Sequence, residues 1–528
     1  MIGRPSKDEF YPSQNITSIF HYWVVRDPGR HCLIFPASHG KPGKPRYLTI
    51  TYGQLAAAAW TLSAKLSRAG VVRGDRVLLL QPLSPDLFQA LIAVIQIGAV
   101  AVLVNPFSSL GQVGEAARHT AARVMIGGWK AQFARQFSRP LRALPHSIWS
   151  RPNWRNLAPA TPSSAGEIAT MDAGDLAMIS FTSGTTGSSK AIHRTHGHMN
   201  TQGDILSKAL PRAEGDIDLP FLPNFAINNM GEGVPTVFPA IGRGRKVTLD
   251  PALILRQIVE CQVRTLGGSP SYLESLADHC QTGGCTVETV RGIICGGAAV
   301  SAALLTKLEC VFPAAKGNIK VLYGATEADP ISFLNSEEIT TEMKSAMISG
   351  AGYCVGNPIA DIEVTRAPGT DDNITVMGRT YVRGEIVVSG PHVVGNRGSM
   401  DDANQFSTGD AGYLDEHGRL WLLGRMANRI NVQGRNIDSF QVEPVIESLE
   451  YVRRCALLKH NDDVVLAVEL RTKNQGGAEE QTRWKASIEQ VCFAANIPVD
   501  RVTIVDRIPV DSQHRAKIQY DQLRKSLR

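Results

Sequence analysis

From Ser180 to Lys190 the chain reads Ser-Phe-Thr-Ser-Gly-Thr-Thr-Gly-Ser-Ser-Lys, directly after the apolar run Leu176 to Ile179. Glycines and small residues let backbone N–H groups point into one concavity. The hydroxyls of Thr182, Ser183, Thr185 and Thr186 add donors, Gly184 and Gly187 give the loop room, and Lys190 adds a positive charge. The pattern is a strand followed by a phosphate-gripping loop, and its expected ligand is a polyphosphate. It is not the Walker arrangement, because Gly187 lies three residues before Lys190 and Ala191, not Ser or Thr, follows the lysine. A P-loop NTPase is therefore disfavoured. A plain Ser/Gly/Thr turn has the same composition, so the loop alone does not decide. His193, His196 and His198 invite a metal reading, but no neighbouring carboxylate or thiol completes a zinc set, and none is expected.

The loop must be held by α/β elements. Thr51 and Gln54 have capping-box spacing, and Leu55, Ala59, Leu62 and Leu66 recur at helical steps until Gly70. Gly74-Asp75 turns the chain into a strand at Val77 to Leu80, Pro85 opens a second helix, and Val100 to Val104 reads as the next strand, a β-α-β unit. Five prolines between Arg139 and Thr170 predict a connecting loop. From 190 to 330 the apolar runs Leu253 to Val259, Val290 to Cys295 and Ile319 to Tyr323 alternate with Gly- and Ser-rich turns, again α/β. Beyond Gly424 the texture is shorter and more charged, with strands expected at Cys455 to Leu458 and Val464 to Leu470, a Gly476-Gly477 loop and a basic terminal helix. That stretch reads as a small α+β domain.

Five motifs follow in order: Thr182 to Lys190, then Tyr323-Gly324-Ala325-Thr326-Glu327, Thr408-Gly409-Asp410, Gly424-Arg425 and a near-terminal Lys517. In this order they resemble the adenylate-forming superfamily of acyl-CoA synthetases, luciferases and peptide-synthetase adenylation domains. The resemblance implies a large α/β core over 1–423, built of layered subdomains, and a mobile C-terminal lid over 424–528. It implies that Thr182 to Lys190 hold the ATP phosphates. Gly296, Gly297 and Ala298 would pass beside the adenine, and Tyr323 with Gly324 would bind the same ring. Thr326 and Glu327 would meet the α-phosphate and Mg²⁺, Asp410 the ribose hydroxyls, Arg425 the ribose or phosphate, and Lys517 would be the catalytic lysine. The residue types suit such chemistry. A carboxylate attacking a phosphate brings two anions together, so cations must neutralise charge as the transition state forms. A lysine on a small domain can be delivered and withdrawn.

Pro509-Val510-Asp511-x-x-His514-x-Ala516-Lys517-Ile518, with Glu327-Ala328-x-Pro330, is similar to the β-lactone synthetases of bacterial olefin biosynthesis. That implies closure of a β-hydroxyacyl-adenylate on its own hydroxyl; transfer to CoA is the alternative, and a non-catalytic acyl or nucleotide binder is a third reading. Three departures from the family pattern stand out: Ser189-Lys190-Ala191 in the loop, Ala427 at the hinge, and Ala226 after Pro223-Asn224-Phe225, where many ligases carry histidine. Phe221, Phe225, Ile227 and Met230 could wall an acyl pocket, although core packing explains such residues as well.

Composition bounds the rest. At about 150 residues per domain, 528 residues require more than one core. Hydrophobic residues at 43 % and charged residues at 20 % describe a globular protein. A net charge of +6 is too dilute for a phosphate-backbone stripe, so nucleic acid is not an expected partner. The expected partner is a small, hydrophobic carboxylic acid, with ATP and Mg²⁺ as cofactors, CoA as a candidate co-substrate and a homodimer as the candidate assembly. Leu87 to Val104 carries no charge, but Gln89, Gln96 and Gly98 interrupt it, so a helix and a strand are expected rather than a membrane span. Met1 to Asn15 shows no apolar h-region, and nine cysteines without a CxxC pair fit reduced thiols in the cytoplasm.

Overall fold

Thr51 starts the first long helix, α1 (Tyr52–Arg68), with both halves of a capping box: its hydroxyl accepts from the Gln54 amide at 3.2 Å, and Gln54 Oε1 accepts from the Thr51 amide at 3.1 Å. Leu55, Ala59, Leu62 and Leu66 are buried along one face. The architecture mixes α-helices with parallel and antiparallel β-sheet. It is seen in a computed structural model describing residues 13–37, 47–104, 108–160, 167–183, 189–221, 224–240, 249–395, 404–471, 478–511 and 517–527. Contacts divide the chain into two compact units. The first comprises 1–266, 326–329 and 391–404, and the second 267–325, 330–390 and 405–528.

The first unit is organised on a six-stranded sheet of β1 (Arg76–Leu80), β2 (Val100–Leu103), β3 (Val124–Gly127), β4 (His146–Ile148), β5 (Leu176–Ser183) and β6 (Ser189–Thr195), in the order β4-β3-β1-β2-β5-β6. All neighbours are parallel except β6, which folds back antiparallel on β5. The uncharged run from Leu87 is α2 (Pro85–Gln96) followed by β2. Because β2 is central, Val100 and Val102 pack into one core cluster and Ala101 into another, which explains an apolar run with no alternation. No described helix is long and apolar enough to cross a membrane.

The proline-rich stretch after Arg139 is more than the loop expected. It forms a helical turn at Arg139–Arg142 and then β4, an edge strand paired with β3. Three residues are too short for any periodicity to announce. Just before it, α3 (Trp129–Arg135) follows β3 directly.

In the second unit β7 (Gly292–Gly296) and β8 (Ile319–Ala325) run parallel, and β9 (Arg379–Ser389), β10 (Gln405–Leu414) and β11 (Leu420–Arg425) form an antiparallel ladder. The C-terminal stretch of this unit has α4 (Ser439–Glu447) and a separate three-stranded sheet of β12 (Val452–His460), β13 (Asp463–Leu470) and β14 (Arg501–Val505). Val442, Ile446, Leu457, Leu466 and Ile488 form its core, and α5 (Tyr520–Ser526) ends it. That is the α+β texture the charge and strand pattern predicts. The Gly476-Gly477 loop lies outside the described residues.

Candidate active site

The β5–β6 hairpin carries the hydroxyl-rich motif. Thr182 pairs with Lys190 and Ser183 with Ser189, so both arms are ladder-bonded up to the motif. Gly184, Thr185, Thr186, Gly187 and Ser188 lie outside the described residues. On β6 the period of two puts Lys190, Ile192 and Arg194 on one face. The Lys190 ammonium lies 3.7 Å from Glu327 Oε1. Arg194 donates to the Thr326 carbonyl at 2.5 Å, the Val394 amide to the Glu327 carbonyl at 2.8 Å, and the Gln202 amide group to the Asp329 carbonyl at 2.8 Å. Three of the four positions from Thr326 to Asp329 are thus pinned through their carbonyls. The first unit therefore brings together Lys190, Thr326 and Glu327. Arg194 and Gln202 are the residues that sequence reasoning missed. The signal for Arg194 was available: it shares the strand face of Lys190.

Asp329 sits in the same segment. Burial raises its carboxyl to about 6, and the charge of Arg194 opposes the rise. Its Oδ1 is buried without a hydrogen-bond partner. The histidines are used singly. His196 Nδ1 accepts from the Ile16 amide at 3.1 Å, and burial lowers its ring to about 4. His198 completes the capping box of the helix that Thr195 opens. Among the described residues no group of three or more His, Cys, Asp or Glu could hold a metal ion. Glu327 is a single carboxylate with a side chain only 13 % exposed. One carboxylate suits Mg²⁺ that arrives on a polyphosphate and keeps its waters, rather than an all-protein cage.

In the second unit, Gly296 ends β7 opposite Leu322 on β8. A Cβ at Gly296 would lie 2.6 Å from the Leu322 carbonyl, so only glycine allows this approach. Gly296, Gly297, Ala298 and Tyr323-Gly324 consequently meet at the carboxyl ends of adjacent parallel strands, where open α/β sheets bind ligands. The Tyr323 hydroxyl donates to Asp410 Oδ2 at 2.8 Å. Asp410 on β10 stands in register with Arg425 on β11, whose Nε is 3.0 Å from Asp410 Oδ1 and whose Nη1 donates to the Thr408 carbonyl at 2.7 Å. A side chain at Gly424 would meet Ser439 Oγ at 2.4 Å, so glycine is required beside the arginine. Burial raises the Asp410 carboxyl, countered by the Arg425 charge, the Tyr323 hydroxyl and the ammonium of Lys517.

Lys517 is therefore within electrostatic reach of Asp410. Its backbone is fixed by a reciprocal pair, with Asp511 N donating to the Lys517 carbonyl and Lys517 N to Asp511 Oδ1, both at 2.9 Å, beside a Val510–Ile518 bridge. Residues 512–516, His514 among them, are outside the described set. Arg435, for which the motifs offer no role, donates to the Asn496 carbonyl at 3.2 Å. The apolar residues Phe225, Ile227 and Met230 lie on the helix Phe225–Glu232. Phe225 and Met230 are each 5 % exposed, and Met230 packs in the main core with Ile227 against it, while its carbonyl accepts from the Tyr52 hydroxyl.

The chain is 29 % identical over 531 residues to the olefin beta-lactone synthetase of Xanthomonas campestris pv. campestris, covering 94 % of each, and 24 % identical over 488 residues to 4-coumarate–CoA ligase 2 of Petroselinum crispum, covering 87 % and 86 %. ATP-bound MatB from Rhodopseudomonas palustris has the same fold, with TM-score 0.76 at 20 % identity, over 97 % of this chain and 99 % of that one. The family described as AMP-binding enzyme matches residues 20–395. With a match over most of its length, this chain belongs to the AMP-binding enzymes, and it is an AMP-forming, acid-activating enzyme.

Proposed function

We propose that the enzyme activates a hydrophobic β-hydroxy acid with ATP and closes the acyl-adenylate to a β-lactone. The observation that carries the reading is the 29 % identity to an olefin beta-lactone synthetase along 94 % of both chains. In the first step a carboxylate oxygen bonds to the α-phosphorus and the bond to the bridging oxygen breaks, releasing pyrophosphate. In the second the β-hydroxyl oxygen bonds to the acyl carbon, the acyl–phosphate bond breaks with its electron pair on AMP, and the hydroxyl proton passes to solvent. Proximity supplies the second nucleophile, so no thiol is needed.

The residues divide the work by charge and shape. Lys190 and the hairpin residues Thr182 to Gly187 grip the β- and γ-phosphates. Lys517, on a lid formed by 424–528, neutralises the α-phosphate as the carboxylate attacks. Asp410 takes the ribose hydroxyls, with Arg425 and Tyr323 holding its carboxylate in place, and Gly296 to Ala298 flank the base. Thr326 and Glu327 face the α-phosphate. Glu327 would hold Mg²⁺, which supplies charge neutralisation on the phosphate oxygens. The acyl chain runs beside the helix of Phe225, Ile227 and Met230. Nine free cysteines suit a reducing cytoplasm.

The test is product analysis by mass spectrometry over β-hydroxy and plain acids, with and without CoA. The reading expects AMP and a product lighter than the acid by one water, without CoA and from hydroxylated acids alone. AMP release that requires CoA, with thioester as product, would replace lactonisation by CoA-ligase chemistry, as in the name of the Petroselinum relative.

A further inference from the structure

Helix α3 is built inside out. Its polar side chains face the protein: Gln132 donates to the Gly127 carbonyl at 3.2 Å and accepts from the Ser147 hydroxyl at 2.6 Å, while Arg135 donates to the carbonyls of Leu141 at 3.0 Å and Leu144 at 2.9 Å. Its aromatic side chains face water. Trp129 is 60 % exposed, Phe133 64 % and Phe137, just past the helix end, 69 %, and no residue of the helix is buried. The three stand at four-residue intervals, one face of a helix, and the rings of Phe133 and Phe137 meet edge to face at 5.1 Å. Trp149 adds a fourth ring at 52 % exposure. It follows β4, whose Ile148 pairs with Ile126 of β3, so it leaves the sheet where α3 begins.

Along this stretch of the chain the charge has one sign. From Ala116 to Gly166 the chain contains eight Lys and Arg and no Asp or Glu. Lys130 lies over the Trp129 ring at 5.6 Å, and Arg139 and Arg142 are exposed on the turn that follows Phe137. Arg123 pairs with Asp75, and Arg151 feels Asp86, so those two are partly neutralised.

We infer that this face, Trp129, Phe133, Phe137 and Trp149 rimmed by Lys130, Arg139 and Arg142, docks the enzyme on a bilayer surface containing anionic lipid. Exposed rings this numerous mark an interaction site. Amphipathic indoles and phenyl rings with Lys130, Arg139 and Arg142 beside them match the boundary between headgroups and acyl chains and its negative potential. A protein interface of ordinary kind has charges of both signs on its rim. A single-stranded nucleic acid would need a basic groove tracking its backbone, whereas here the rings stand on a convex helix.

Sedimentation of the full chain with vesicles tests it, comparing phosphatidylcholine alone with an equal mixture of phosphatidylcholine and phosphatidylglycerol. Binding to the mixed vesicles is expected to exceed that to neutral ones at least about tenfold and to fall steeply between about 0.1 and about 0.5 M salt. Phe133→Ser with Phe137→Ser, and separately Arg139→Glu with Arg142→Glu, should each cut it at least about tenfold, with ATP–pyrophosphate exchange in solution unchanged as proof of folding. No binding to mixed vesicles, or binding that either double variant retains, overturns the inference. So does a self-association, or capture of a single-stranded oligonucleotide, that Phe133→Ser with Phe137→Ser abolishes while vesicles remain unbound.

Discussion

Arg383 is the residue whose loss should most change how the C-terminal segment is held. It lies on β9 with a side chain only 4 % exposed. Its Nη1 donates to Asp438 Oδ2 and Gln441 Oε1, both at 3.0 Å, and its Nη2 to Asp372 Oδ2 and the Asn436 carbonyl, both at 2.8 Å. Asp438 is fully buried, caps α4, and takes a second, two-pronged grip from Arg429 at 2.7 and 3.1 Å. Removing one partner of a buried ion pair costs about 3–5 kcal/mol, because the other charge stays buried. Arg429 remains in Arg383→Met and Asp372 is partly solvated, so the low end, about 3 kcal/mol, is expected.

That free energy should appear in α4 first, since Asp438 is its cap and Gln441 its first turn. Hydrogen–deuterium exchange followed by mass spectrometry reads it directly: about 3 kcal/mol raises local opening of residues 439–447 by about two orders of magnitude. Exchange in β1 to β3 of the first unit should not change. If α4 exchanges within about fivefold of the parent, the buried guanidinium is not what fixes the helix, and the reasoning from burial and geometry fails. The pH limb provides a second check. The hydrogen bond from Arg383 draws the Asp372 carboxyl down to about 2. A depressed folded value stabilises above the ordinary carboxylate range and is lost as pH falls toward about 2. Arg383→Met should erase that part of the acid limb.

Lys517→Ala is expected to lower ATP–pyrophosphate exchange by about 10²–10³ with little change in ATP affinity, since its proposed contact forms mainly in the transition state; a matched loss in both would contradict the role. Asp410→Asn removes a charged acceptor for two ribose hydroxyls and strands Arg425, so KM for ATP should rise about tenfold to a hundredfold, and an unchanged KM measured by initial rates would rule out the ribose contact. Burial, then the neighbouring Glu447 charge, pushes Glu443 to about 8, and burial pushes Glu447 to about 7. A carboxyl raised on folding stabilises below its unfolded value and loses that contribution as pH rises through the folded one, so stability against urea should fall from about pH 4.3 to about pH 8, and Glu443→Gln should flatten the slope. A slope that survives this substitution would point to other groups.

What was legible in the sequence was whatever local spacing or motif chemistry controls. Thr51 and Gln54 announce α1 because a cap needs only four residues, and the apolar run before Ser180 announces β5 because a buried parallel strand needs no alternation. The five motifs stood out because each combines residue types that phosphate chemistry restricts. Arg194 shares the strand face of Lys190, so its position was signalled and its partner was not. Its work is to hold the Thr326 carbonyl 132 positions distant, and no local pattern encodes a partner so far along the chain.

Arg383 and α3 were illegible for opposite reasons. Arg383 meets Asp438 across 55 positions, and in sequence each looks like a surface charge. Only burial turns them into a pair, and burial is a property of the packed strands, not of either neighbourhood. Helix α3 breaks the rule that reading depends on, since an apolar residue at helical spacing is taken for the inner face. Here the inner face is set by Gln132 and Arg135, whose hydrogen bonds satisfy carbonyls at the end of β3 and around the Arg139–Arg142 turn and leave the rings outside. Free backbone acceptors outcompeted apolar burial for that face. Elements where this inversion occurs are the ones whose apolar side chains have work to do beyond the chain's own core.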